Sequence, residues 1–154
     1  MRVGIDGGTP TAVSKEELFA PVISPDGNSL ACAYQPEPGK RPNLAIVGLA
    51  GGEIRSVYDL PQETQASLGG DGGQKLAWTR DSRAVLYPVY KDGVVTLWAQ
   101  PVGATGSTPA AAKQVMNLGP DFQWGAYTLS PDGKQIIYAH GRAVTDAVLI
   151  SHFH

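Results

Sequence analysis

The sequence predicts an all-β chain assembled from repeated four-stranded antiparallel units. Three observations carry that expectation. A turn, Ser24-Pro25-Asp26-Gly27, returns as Ser130-Pro131-Asp132-Gly133, and a degenerate copy, Thr79-Arg80-Asp81-Ser82, sits between them. Each copy is flanked by apolar runs of strand length. Composition agrees: 19 Gly and 12 Pro among 154 residues, with 42% hydrophobic and only 17% charged residues, suit many short strands and tight turns better than helices.

The elements follow in order. Near the N-terminus, Asp6-Gly7-Gly8 signals a turn, because glycine takes positive φ without steric cost, and a short strand is expected around 11–13. Lys15-Glu16-Glu17-Leu18-Phe19 reads as a surface loop. The first full unit spans 20–60. Pro21-Val22-Ile23 enters the turn and 30–34 leaves it, forming a hairpin. In that turn Pro25 presets φ, the Asp26 carboxylate can accept nearby backbone N–H groups, and Gly27 supplies the left-handed position. A proline-rich loop over 35–42 leads to a third strand, 43–49. The Ala50-Gly51-Gly52 turn then leads to an alternating fourth strand over 53–60.

Residues 61–73 read as a linker that ends in Gly69-Gly70-Asp71-Gly72-Gly73. The second unit, 75–118, repeats the plan: 75–79 enters, 84–90 leaves, Lys91-Asp92-Gly93 is a hairpin turn, and 94–102 and 113–118 are the third and fourth strands. A widened turn of small residues covers 103–112. Pro88, inside the second strand, implies a bulge or an unpaired position there. The third unit, 126–154, has strands at 126–129, 135–139 and 147–151 and no fourth strand. Residues 1–15 supply the end of a third strand plus a fourth.

The turn aspartates stand 55 and 51 residues apart, at 26, 81 and 132. Blades of a β-propeller take about 40–50 residues and four strands each, and the linker and widened turn account for the excess. About three blade equivalents result, a partial or half propeller. Ser24-Pro25-Asp26-Gly27-Asn28-Ser29-Leu30-Ala31 and Ser130-Pro131-Asp132-Gly133-Lys134-Gln135-Ile136-Ile137-Tyr138 resemble the PD-type, WD-like repeat of TolB-like β-propellers. Val3-Gly4-Ile5-Asp6-Gly7-Gly8 and Val47-Gly48-Leu49-Ala50-Gly51-Gly52 resemble the end of that family's third strand and the turn after it; Val102-Gly103-Ala104 is a weaker copy. The end of the chain, Val148-Leu149-Ile150-Ser151-His152-Phe153, is similar to the close of propeller domains at the C-termini of bacterial sensor-type proteins. The resemblance departs at Arg80 and Ser82, which replace Pro and Gly, and in blade number, since such propellers close with more blades.

Composition narrows the functional classes. A net charge of −2 without a basic run does not favour nucleic-acid binding, which needs a dense Lys/Arg face. No apolar run approaches the roughly 18 residues of a membrane-spanning helix, and no charged-then-apolar leader pattern opens the sequence. The resemblance implies a periplasmic or extracytoplasmic setting. Cys32, the single cysteine, reads as a buried, inert thiol.

No catalytic constellation stands out, so no enzyme and no cofactor is expected. A G-x-S-x-G nucleophile elbow is missing. The glycine-rich 69–75 segment lacks the Gly-Lys-Ser/Thr ending of a phosphate loop and precedes a strand. His152 and His154 share a strand face that a metal could use, but two ligands at a terminus read as incidental and no metal site is expected. Asp26, Asp81 and Asp132, with Gly27 and Gly133, read as structural turn residues, in separate blades and too far apart to cooperate. Trp78 and Trp98 read as packing residues. Trp124 falls in the Asp121-Phe122-Gln123-Trp124-Gly125 loop, just before a first strand, at the mouth of a propeller channel; Phe19 and Lys75 hold comparable places. Phe19, Lys75, Gln123 and Trp124 are therefore the candidate contacts for a protein or small ligand.

The function these features suggest is a non-catalytic scaffold within a larger bacterial sensor or envelope protein. Two alternatives are an accessory or gating propeller of a hydrolase, and an excised or engineered half-propeller with a structural role. Three blades cannot close a ring, whereas two chains supply six. A homodimer is expected, with residues 11–13 of one chain completing the last blade of the other, which would also remove exposed sheet edges.

Overall fold

The computed structural model describes residues 1–61, 63, 76–103 and 110–141, and of residues 122–126 the backbone course only. Among the described residues, the elements with complete bounds are all strands. A short N-terminal hairpin pairs β1 (Arg2–Gly4) with β2 (Gly7–Thr11). Sheet I follows, with β3 (Leu18–Ile23), β4 (Ser29–Tyr34), β5 (Asn43–Gly48) and β6 (Ile54–Tyr58) in sequential antiparallel order. Sheet II repeats that order with β7 (Ala77–Trp78), β8 (Ala84–Lys91), β9 (Val94–Pro101) and β10 (Lys113–Gly119). Sheet III pairs β11 (Phe122–Leu129) with β12 (Ile136–His140). Among the described residues no sheet closes on itself.

Each element follows from local chemistry. The β8–β9 hairpin turns at Asp92 and Gly93, both at positive φ (50° and 78°), the two-residue turn whose twist matches its strands. β4, with small side chains at Ala31, Cys32 and Ala33, is buried on both faces, and all three are fully covered. Burial pushes the Cys32 thiol up to about 11, so it stays protonated at neutral pH.

Apolar faces stack the sheets. Ala31, Leu44, Ile46 and Tyr58 of sheet I meet Trp78, Val85, Tyr87 and Val89 of sheet II in one cluster. On the far side of sheet II, Leu86, Val95, Leu97 and Leu118 pack with Tyr127, Leu129 and Ile136 of sheet III. The far side of sheet I carries Leu30, Cys32 and Val47, covered in part by Val13 of the N-terminal segment. Gly52, at φ +71°, is where that segment comes closest: a Cβ there would run into the Val13 carbonyl.

Aromatic donors tie the stack across its seams. The Trp78 indole Nε1 donates to the Val22 carbonyl of sheet I at 2.9 Å, and the Tyr127 hydroxyl donates to the Leu86 carbonyl of sheet II at 3.2 Å. Burial raises the Tyr127 phenol well above its usual value, keeping it a donor. Trp98 packs against the first cluster, and its Nε1 donates to Thr96 Oγ1 at 3.0 Å.

Several expectations are corrected. The N-terminal strand is Gly7–Thr11 rather than 11–13, and Val13 belongs to the packed segment beyond it. The Val-Gly-x-x-Gly-Gly likeness between 3–8 and 47–52 does not make one turn twice. The first closes at Gly4↔Gly7, while in the second Gly48 N donates to the Glu53 carbonyl. Leu18 and Phe19 begin β3 instead of lying in a loop. Of the two alternatives for Pro88, a bulge or an unpaired position, only the bulge is contradicted: the β8–β9 ladder runs unshifted from Ala84↔Pro101 to Lys91↔Val94. An antiparallel ladder alternates bonded and non-bonded positions, and a proline fits the latter without displacement. Most of the expected linker at 61–73, most of the 103–112 turn, the strand at 147–151, and His152 and His154 lie outside the described residues.

Candidate functional site

The three repeated turns are built from the same five hydrogen bonds. In the first, the Ser24 hydroxyl donates to Asp26 Oδ1 (2.6 Å), which also accepts the Asn28 N–H (3.0 Å). Ser24 Oγ accepts from Ser29 N, and backbone bonds join Gly27 N to the Ser24 carbonyl and Ser24 N to the Ser29 carbonyl. Thr79, Asp81, Ser82, Arg83 and Ala84 reproduce the set. So do Ser130, Asp132, Gly133, Lys134 and Gln135. The hydroxyl donors, followed by the backbone N–H groups, hold all three carboxyls below their usual value. Each carboxylate is consumed within its own loop.

The turns are not isolated, as their spacing suggests; they form a row. The Asp26 N–H donates to Ser82 Oγ at 3.1 Å. One step along, Arg80 Nη1 donates to the Asp132 carbonyl at 3.2 Å, and a Cβ on Gly133 would meet the Arg80 Cβ at 2.9 Å. The two residues that depart from the repeat, Arg80 and Ser82, are the two that reach the neighbouring turns. Ser82 takes φ 58° where the outer copies carry Gly27 (73°) and Gly133 (70°). An open hollow of about 580 Å³ beside the first turn includes Arg2, Asp26 and Arg55. Another of about 550 Å³ beside the second includes Arg80, Asp81 and Arg83. This end of the stack is therefore charged with both signs.

The candidate contact residues lie at the opposite end. β3 and β11 each run toward their turn, so Phe19 and Trp124 sit near the strand starts. Both are at irregularities. In β3, Ala20 and Pro21 stand opposite Cys32 alone, between the pairs Phe19↔Ala33 and Val22↔Ala31, with Ala20 at φ 48°. In β11 the residues 123–126 stand opposite Ala139 alone, between Phe122↔His140 and Tyr127↔Tyr138. Trp124 and Gln123 thus belong to a wide bulge inside a strand, a correction to the expected loop ahead of it. Bulges re-aim side chains and recur at binding sites. Phe19 is 41% exposed. Lys75 lies outside the described residues, and β7 is described only over Ala77–Trp78.

The turn aspartates and the bulge residues are consequently separated by the length of a strand and do not form one site. Among the described residues no three His, Cys, Asp or Glu side chains gather as metal ligands. What sequence reasoning missed was the Ala20 bulge, since Phe19-Ala20-Pro21 carries no glycine or asparagine to announce a left-handed residue. No protein-family model matches the chain, and no curated protein matches it.

Proposed function

We propose that this chain is a non-catalytic, β-propeller-type scaffold of a larger bacterial sensor or envelope protein. In this reading the bulged starts of its first strands bind a protein or small ligand, with Phe19, Lys75, Gln123 and Trp124 as contacts. The observation that carries the reading is the paired bulge, in β3 beside exposed Phe19 and in β11 around Trp124. These irregularities interrupt the ladder near the start of both strands, and bulges of this kind recur next to binding and active sites. The repeated turns, the sequential four-stranded sheets and their face-to-face stacking support the scaffold part.

Cross-linking in a native lysate, read by mass spectrometry, tests it. Partner cross-links are expected at Lys40 and Lys91, in the connections at the bulged end, and not at Lys134 beside the third turn. A Phe19→Ala/Trp124→Ala variant with unchanged circular dichroism should lose them. Partner cross-links centred on Lys134, or retained by the double variant, would overturn the assignment.

A further inference from the structure

One kind of seam occurs twice in this chain, made by equivalent positions. Counting from the turn aspartates, Ile23, Trp78 and Leu129 are equivalent, and so are Ala31, Leu86 and Ile137. Between sheets I and II, Trp78 packs in one cluster with Ala31. Between sheets II and III, Leu129 packs in one cluster with Leu86. The remaining members, Ile23 and Ile137, have no counterpart. Trp78 and Leu86 are 6% and 4% exposed, whereas Ile23 and Ile137 are 61% and 58% exposed. Ile23 pairs with Leu30, placing it on the sheet I face that looks away from sheet II. Ile137 pairs with Thr128, placing it on the sheet III face that looks away from sheet II.

We infer that a second copy of this chain completes the third seam, with Ile137 of its sheet III seated against Ile23 and Leu30 of sheet I. One further observation fits that occupant. A cavity of about 270 Å³ lies on this face of sheet I, lined by Leu18, Pro21, Ile23, Leu30 and Cys32, with Arg2 and Val13 of the N-terminal segment at its side. Its lining is mostly apolar, with Arg2 and Glu16 as the charged members, and it matches an apolar insert. The two patches differ, so the contact is head-to-tail, and such contacts close into a ring only when the rotation allows it. Closure by two copies rests on the propeller reading above; the face pairing does not.

Sedimentation equilibrium and light scattering on the full chain test the inference. Twice the chain mass is expected at micromolar concentration. Ile23→Asp and Ile137→Lys should each be monomeric with circular dichroism unchanged, since both positions are exposed within one chain, and their melting temperatures should no longer rise with protein concentration. Mixed in equal amounts, the two variants should recover the dimer mass. One seam then carries Asp against Lys and the other is wild type, the pattern expected when Ile23 of each copy meets Ile137 of the other and not its own counterpart. A monomeric wild-type chain, or a dimer indifferent to both substitutions, overturns the inference. A concentration-dependent ladder of larger masses overturns two-copy closure, and with it the six-blade arithmetic, independently of the cross-linking test.

Discussion

The middle turn and the two outer turns share a hydrogen-bond scheme yet differ in sequence, and the difference is informative. Ser24-Pro25-Asp26-Gly27 and Ser130-Pro131-Asp132-Gly133 use residues whose intrinsic preferences match the turn. Thr79-Arg80-Asp81-Ser82 replaces the preset proline with Arg80 and the permissive glycine with Ser82, which holds φ 58°. Read in sequence, this copy has decayed. In three dimensions it stands between the other two and touches both, through Ser82 Oγ to the Asp26 N–H and through Arg80 Nη1 to the Asp132 carbonyl. Local preference has been exchanged for contact. A left-handed non-glycine residue costs about 1–2 kcal/mol, and a hydrogen bond returns about 0.5–1.5 kcal/mol, so the exchange is close to neutral in stability while it aligns three sheets.

The largest test of that contrast is glycine replacement in the two outer turns. Gly133→Ala combines positive φ with a clash on Arg80 and should cost about 2–4 kcal/mol. Gly27→Ala, with the same φ but nothing within 4 Å of the new Cβ, should cost about 1–2 kcal/mol. Denaturant titrations compare them directly. Arg80→Gly placed on Gly133→Ala should recover part of the loss; equal costs for the two glycines would mean the middle turn does not lean on the third.

Removing the bridging groups should have a smaller effect. Arg80→Ala and Ser82→Ala each forfeit one cross-turn hydrogen bond, about 0.5–1.5 kcal/mol by chemical denaturation. A double variant should lose close to the sum, because the two bonds run to different turns. Ser82→Gly separates strain from contact. It loses the same bond but relieves the left-handed φ, so its stability should lie within about 1 kcal/mol of wild type and above that of Ser82→Ala.

The smallest effect is expected with pH, and it should be common to all three turns. The folded carboxyls of Asp26, Asp81 and Asp132 lie below the usual value of 3.8. The folded state therefore binds protons less readily than the unfolded chain. The turns contribute fully above that value and lose their contribution as pH falls through the lower folded values. Replacing all three by Asn should flatten the fall in melting temperature below pH 4. An unaltered slope would show that the Ser and Thr hydroxyl donors do not favour the charged form.

Much of the fold was legible because it is written locally. The Ser-Pro-Asp-Gly copies and the Asp92-Gly93 turn declare where strands reverse, and alternation declares the strands between. The strands expected at 30–34, 43–49, 84–90 and 94–102 accordingly fall on β4, β5, β8 and β9. The bulges were not legible. Ala20 adopts φ 48° because Phe19↔Ala33 and Val22↔Ala31 are both held; the pairing, not the alanine, demands it. The same is true of Trp124, whose surroundings read as a loop until β12 supplied a partner strand on either side of the bulge. Ile23 and Ile137 looked like ordinary strand residues, since exposure of one face depends on what other sheets cover.

The sequence by itself therefore determined the all-β class, the turn sites and the order of strands within each sheet, because these rest on φ preferences and side-chain alternation over a few residues. Tertiary structure decided which turns touch, which strands bulge and which apolar side chains, such as Ile23 and Ile137, stay exposed among the described residues. Those outcomes depend on bonds such as Asp26 to Ser82 and Arg80 to Asp132, joining residues 56 and 52 positions apart, and no local preference encodes a contact at that separation.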